Sequence, residues 1–166
     1  VGTTEPFVES TFGGDGSSST SMLYCWFQNW GSGILARSGS HLVTFHVGAT
    51  FNSGNGVLVN DGSYLRAKDL TSSKNGTGGG GSGVFVRDGS FAEIEGISAF
   101  DQNATHGVRV VQAKARVFGT DVAPINVRGN SQINLSGDEG ASLSAEHVNV
   151  NTQAISSSSA TAQIFS

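Results

Sequence analysis

The chain has 166 residues, 24 of them Gly and 2 Pro, and 13% are charged, against roughly 25% in an average globular protein. A net charge of −4 and the lack of any basic stretch leave nothing to displace counterions from phosphates, so nonspecific nucleic-acid binding is not expected. No apolar run approaches a membrane span, so no membrane insertion is expected, and Cys25, the single cysteine, gives no disulfide framework.

Residues 1–32 carry no repeat. The chain starts at Val1 without a charged-then-apolar leader, which reads as a fragment or a processed product. A polar loop over 13–20 leads into an aromatic strand over 21–30. Alternate residues of a strand point to opposite faces, so Tyr24, Trp26 and Trp30 share one face and Leu23, Cys25 and Phe27 the other. The first face is a candidate platform for sugar rings. A strand apolar on both faces also fits burial.

From Gly33 the chain repeats. Gly33-Ile-Leu-Ala-Arg-Ser-Gly-Ser40, Gly56-Val-Leu-Val-Asn-Asp-Gly-Ser63 and Gly83-Val-Phe-Val-Arg-Asp-Gly-Ser90 are near copies, and Gly107-Val-Arg-Val-Val-Gln-Ala-Lys114 is a worn one. Their starts lie 23, 27 and 24 residues apart, a period that marks stacked units. Neither helical-repeat composition nor a Leu/Asn ladder of the leucine-rich kind is present. What recurs is a strand, a tight turn, a second alternating strand and a polar loop of variable length: one coil of a β-solenoid. Residues 76–83, almost all Gly, read as a loop bulging from one corner.

Alternation predicts the bore: Ile34 and Ala36, Val57 and Val59, Val84 and Val86, Val108 and Val110 from the first strands. Leu65 and Ala67, then Ala92, Ile94 and Gly96, then Ala115, Val117 and Gly119 come from the second. With coils about 4.8 Å apart, Arg66 is expected over Glu93, Lys68 over Glu95, and Arg116 on the far side of Glu93. Opposite charges on adjacent rungs suit a solvated ladder. The coils are recognisable over 33–123. Residues 124–166 hold two degenerate coils, around Ile125 and around Ala141, and a polar tail. All six or so coils belong to one domain, a stub of about 30 Å whose ends need covering.

The pattern Gly-Val-x-Val-x-Asp-Gly-Ser, with its alternating strand and variable loop, resembles the right-handed parallel β-helix of pectate lyases, polysaccharide epimerases and autotransporter passengers. Low charge, Ser/Asn-rich loops and tight Gly punctuation are most similar to the shafts of bacteriophage tailspikes and tail fibres, over about residues 33–150. That resemblance implies a homotrimer that binds, and in some cases cleaves, host cell-surface polysaccharide, alongside other virion tail proteins and outside the cell. Coil pattern encodes architecture, while chemistry lives on loops.

Two sets of outward residues bear on function. Leu35, Leu58 and Phe85 form an apolar stripe ended by Arg109, which reads as a trimer interface or as a surface covered by another segment of the chain. The catalytic candidates are Asp88, Glu93, Glu95 and Asp101, because β-helix glycosidases need two carboxylates about 5–9.5 Å apart. Asp61 and Asp88 sit at equivalent turns on neighbouring coils, where Asp before Gly is also the ordinary turn residue. Glu93 and Glu95 face one way beside cationic neighbours, and Asp101 shares a loop with His106. His41, His46, His106 and His147 are scattered without zinc-ligand spacing, no phosphate loop occurs, and no metal or cofactor is implied. The sequons at Asn75, Asn103 and Asn134 are what chance gives in so Asn/Ser/Thr-rich a chain. The expectation is a structural or receptor-binding module of a phage tailspike or fibre. A polysaccharide hydrolase or lyase and a secreted bacterial adhesin are the alternatives.

Overall fold

The computed structural model describes residues 9–10, 19–23, 26–28, 31–150, 155–158 and 161–165. They form an all-β parallel solenoid without a helix among the described residues. Five complete turns run from Ile34 to Val150, and further strands lie at both ends. Each turn has three sides. The first is Ile34–Ala36, Val57–Val59, Val84–Arg87, Val108–Val111 and Leu135–Asp138, flanked by Glu9–Ser10 and Ile155–Ser158 in one seven-stranded parallel sheet. Val57, Val84 and Val108 stack in register, as the octapeptide predicts, and all are fully buried.

The second side carries the alternating strands. His41, Tyr64, Phe91, Lys114 and Ser142 open it at one register. Arg66 pairs in register with Glu93, Lys68 with Glu95, and Arg116 with Glu93. The worn coil holds that register because its turn is one residue shorter: Ala113 stands, buried, where other coils have Ser40, Ser63 and Ser90.

The third side lies inside what reads from sequence as a polar loop. His41–Thr50 and Tyr64–Ser73 run on past a bend, so 47–50 and 70–73 form a further face with Ala99–Asp101, Ile125–Arg128 and Val148–Val150. Val47, Ala49, Leu70, Phe100, Ile125 and Val127 point inward from it, and Phe100 is the largest fully buried side chain. Ile125–Arg128 therefore closes the turn begun at Val108 rather than opening another. Gly96 and Gly119 do not continue the inward rows. Gly96 takes φ +76° at the bend, and Gly119 leads into an excursion closed by backbone bonds between Thr120 and Ala123.

Left-handed backbone recurs at all three corners. Ser38, Asp61, Asp88, Gln112 and Glu139 have φ of 49–57° at the first corner, His46, Asp69 and His147 48–57° at the second, and Phe51, Lys74 and Gln102 55–57° at the third. Asp tolerates this region better than most side chains because it bonds locally to the backbone. Hence Asp-Gly recurs. At the first corner Ser40 N–H donates to Ser63 Oγ (3.2 Å) and Ser63 N–H to Ser90 Oγ (3.1 Å).

The third corner holds a buried asparagine ladder. Asn52, Asn75, Asn103 and Asn130 are at most 2% exposed. Each amide nitrogen donates to the next coil's Oδ1, at 2.9, 3.0 and 2.9 Å in turn. That same Oδ1 also accepts the preceding asparagine's backbone N–H, at 2.9–3.1 Å. The second amide hydrogen of Asn75, Asn103 and Asn130 goes to the carbonyl of Ala49, Ser72 and Phe100. A polar row inside the solenoid is thus satisfied by its own copies.

Asn75→Ala removes an acceptor from two donors of Asn52 and a donor from the Ala49 carbonyl. At about 1–3 kcal/mol per orphaned buried group, we expect a loss of about 3 kcal/mol or more in urea unfolding. A loss below about 1 kcal/mol would mean that water replaces the ladder.

Candidate functional site

Three outward surfaces are built on this frame. The first is on side three. Trp26–Gln28 pairs with the second half of His41–Thr50, Trp26 opposite Gly48 and Gln28 opposite Thr50. Alternation buries Phe27 and turns Trp26 outward, 61% exposed. The indole lies across Gly48, its ring carbons filling the space that a Cβ there would need. Its N–H donates to Thr50 Oγ1 at 3.1 Å. A glycine inside a strand marks such a close approach, and Gly48 was the sequence signal for it.

Beside the indole lies an open hollow of about 330 Å³ lined by Trp26, His46, Val47, Asp69, Thr71 and Ile97. His46 and Asp69 come from equivalent second-corner positions one coil apart, and His46 Nδ1 is 3.3 Å from Asp69 Oδ2. Asp69 Oδ1 accepts the Ile97 N–H at 2.6 Å. Nothing in the spacing of His46 and Asp69 joins them, because their meeting depends on the unforeseen bend. Tyr24 and Trp30 lie outside the described residues.

The second surface is the apolar row. Leu35, Leu58 and Phe85 occupy one register on successive coils of side one, half-buried, and Arg109 follows. The guanidiniums of Arg109 and Arg87 sit 5.2 and 5.8 Å from the Phe85 ring centre.

The third surface is the charged face of side two. Arg66 takes both carboxylates, with Nη2 3.1 Å from Glu95 Oε1 and Nε 3.8 Å from Glu93 Oε1. Lys68 turns the other way, its ammonium 5.6 Å from the ring centre of Phe45 on the preceding rung. The planar forked guanidinium, with donors fixed in two directions, spans both acceptors. Next to this pair His41, Tyr64 and Phe91 stack, with ring centres 4.5 and 5.5 Å apart.

Asp88, Asp61 and Asp101 each have a local partner. Asp88 meets Arg87 Nε at 3.0 Å, and Asp61 accepts from Asn60 Nδ2 at 3.1 Å; both sit at left-handed corners. Asp101 faces Arg128 Nε at 3.8 Å. Burial raises its pKa, and Arg128 opposes the shift. The charged neighbours of His106 are Arg109 and Asp138; burial first, then Arg109, lowers its pKa, and Asp138 opposes them. The sequon asparagines Asn75, Asn103 and Asn134 are all buried, Asn134 accepting the last ladder amide, from Asn130, at 2.7 Å. Folded, none can carry a glycan. Among the described residues no group of three or more His, Cys, Asp or Glu is placed to hold a metal ion.

No protein-family model, no curated protein and no solved structure matches the chain.

Glu93→Ala should cost no more than about 1 kcal/mol, as for a solvated ion pair; a larger loss in thermal unfolding would mark Glu93 as structurally committed. His106 sets a pH dependence. Its folded pKa lies below the ordinary 6.5, so the unfolded chain binds the proton more readily. The stability present above pH 6.5 is then lost as pH falls towards the depressed folded value. His106→Gln should flatten the fall in urea midpoint between about pH 7 and pH 5; an unchanged slope would remove His106 as its source.

Proposed function

We propose that the chain is a structural and receptor-binding module of a bacteriophage tailspike or tail fibre, a right-handed parallel β-helix that trimerises and attaches to polysaccharide on the host surface. The observation that carries this reading is the unbroken row Leu35–Leu58–Phe85, presented outward by a continuous parallel sheet. Contiguous apolar surface on a low-charge solenoid is what an interface between copies uses. Right-handedness follows the general preference of parallel crossover connections. Three of the four candidate carboxylates support binding over cleavage. A glycosidase needs one free carboxylate acid and one base or nucleophile, whereas Glu93 and Glu95 share Arg66 and Asp88 is held by Arg87.

Native mass spectrometry tests the assembly. The wild-type chain should be a trimer and should release no reducing sugar from host polysaccharide. Leu58 is the position to charge, because Phe85 has two guanidiniums at hand that would neutralise an introduced carboxylate. Leu58→Asp places an unpaired charge between Leu35 and Phe85, which is costly to bury. A soluble β-rich monomer is expected, since residue 58 points out of the bore. A variant that stays trimeric would put the interface elsewhere. Cleavage of glycan by the wild-type chain, abolished by Asp101→Asn with the trimer intact, would favour the enzyme.

A further inference from the structure

We infer that the hollow beside Trp26 is a saccharide-binding site and that it takes a neutral pyranose rather than an acidic sugar. The inference rests on the reading of the chain as an attachment module and assigns that module a site and a ligand class. Trp26 is preorganised. One indole face is seated on Gly48, the N–H is fixed on Thr50 Oγ1 at 3.1 Å, and the side chain remains 61% exposed. An exposed large aromatic held flat has little rotamer freedom left to lose on binding. It offers an apolar face of the size of a sugar ring.

The polar groups sit at one side of that shelf. Asp69 holds its carboxylate in place through His46 and the Ile97 N–H, and Thr71 is the next residue in the outward row after Gly48. Carboxylate, imidazole and hydroxyl offer acceptors and donors to ring hydroxyls, and Ile97, 72% exposed, forms an apolar lip. A large apolar wall with a few converging polar groups is the usual makeup of a small-ligand site. Charge decides between sugar classes. Among the described residues that line the hollow none is Lys or Arg, so a uronate or sialate carboxylate would meet Asp69 with only the His46 imidazole, which Asp69 already engages, to offset the repulsion. A quaternary ammonium fits less well, because cation sites surround the charge with several aromatic rings, and among the described residues Trp26 is the one indole or phenyl ring lining this hollow, beside the His46 imidazole.

The test is a glycan array with neutral and acidic saccharides, followed by titration calorimetry of the full chain with its best ligand. The expected result is binding to neutral saccharides that weakens at least tenfold in Trp26→Ala and in Asp69→Ala. Circular dichroism and native mass should show the fold and assembly unchanged. Because Asp69 also serves its corner, Thr71→Arg provides a second probe that leaves Asp69 in place: its side chain fills the hollow from an outward position, its guanidinium has the Asp69 carboxylate to pair with, and binding of neutral saccharides should be abolished. Binding confined to acidic glycans or to choline, or unaltered in Trp26→Ala and Thr71→Arg, would overturn the inference. Binding that survives these variants but is lost in the Leu58→Asp monomer would overturn this site and leave the attachment reading intact. A trimer that binds no glycan on the array would overturn both the site and the receptor-binding half of that reading.

Discussion

Every position in this solenoid has to be compatible with its own counterpart about 4.8 Å away. Charge cannot meet that condition inside, and apolar residues meet it only along the strands. Asparagine meets it at a corner, because one side chain carries both an acceptor and two donors. Its Oδ1 takes two bonds from the preceding coil while its Nδ2 reaches the following coil and a strand-end carbonyl. The rest of the coil is arranged around that requirement. Serine repeats the solution in smaller form at the first corner, and opposite charges solve it on the solvent face.

Two of the three sides were legible because they announce themselves with strict alternation and a repeated octapeptide. The third was hidden for physical reasons. His41–Thr50 and Tyr64–Ser73 turn the second corner without a break in pairing, and the bend rests on His46 and Asp69 in left-handed backbone. Neither residue type announces such a turn as Gly would. Where the later coils do break, the third strands are only three or four residues long. The ladder did leave a trace, since Asn52, Asn75, Asn103 and Asn130 recur at the coil spacing.

The surfaces were legible in proportion to how local their geometry is. The outward direction of Leu35, Leu58 and Phe85 follows from alternation within each strand, and so does the register of Arg66 on Glu93. Which cation reaches which carboxylate does not follow. It depends on side-chain reach across rungs, and Lys68 settles on Phe45 instead. The Trp26 shelf needed both Gly48 beneath it and the bend that brings His46 to Asp69. Left-handed corners cost about 1–3 kcal/mol each for residues other than Gly. They also project side chains away from the bore, and those at the second corner line the hollow.

The asparagine ladder has a direction. Each Nδ2 donates towards the C-terminal coil, from Asn52 to Asn75, Asn103 and Asn130, and there the last amide is taken by Asn134, at the start of the fifth turn. Aligned amide dipoles polarise one another, so the row resembles a single hydrogen-bonded filament with a head and a tail. Turning over any one interior amide, such as that of Asn75, would set donor against donor towards Asn52 and acceptor against acceptor towards Asn103.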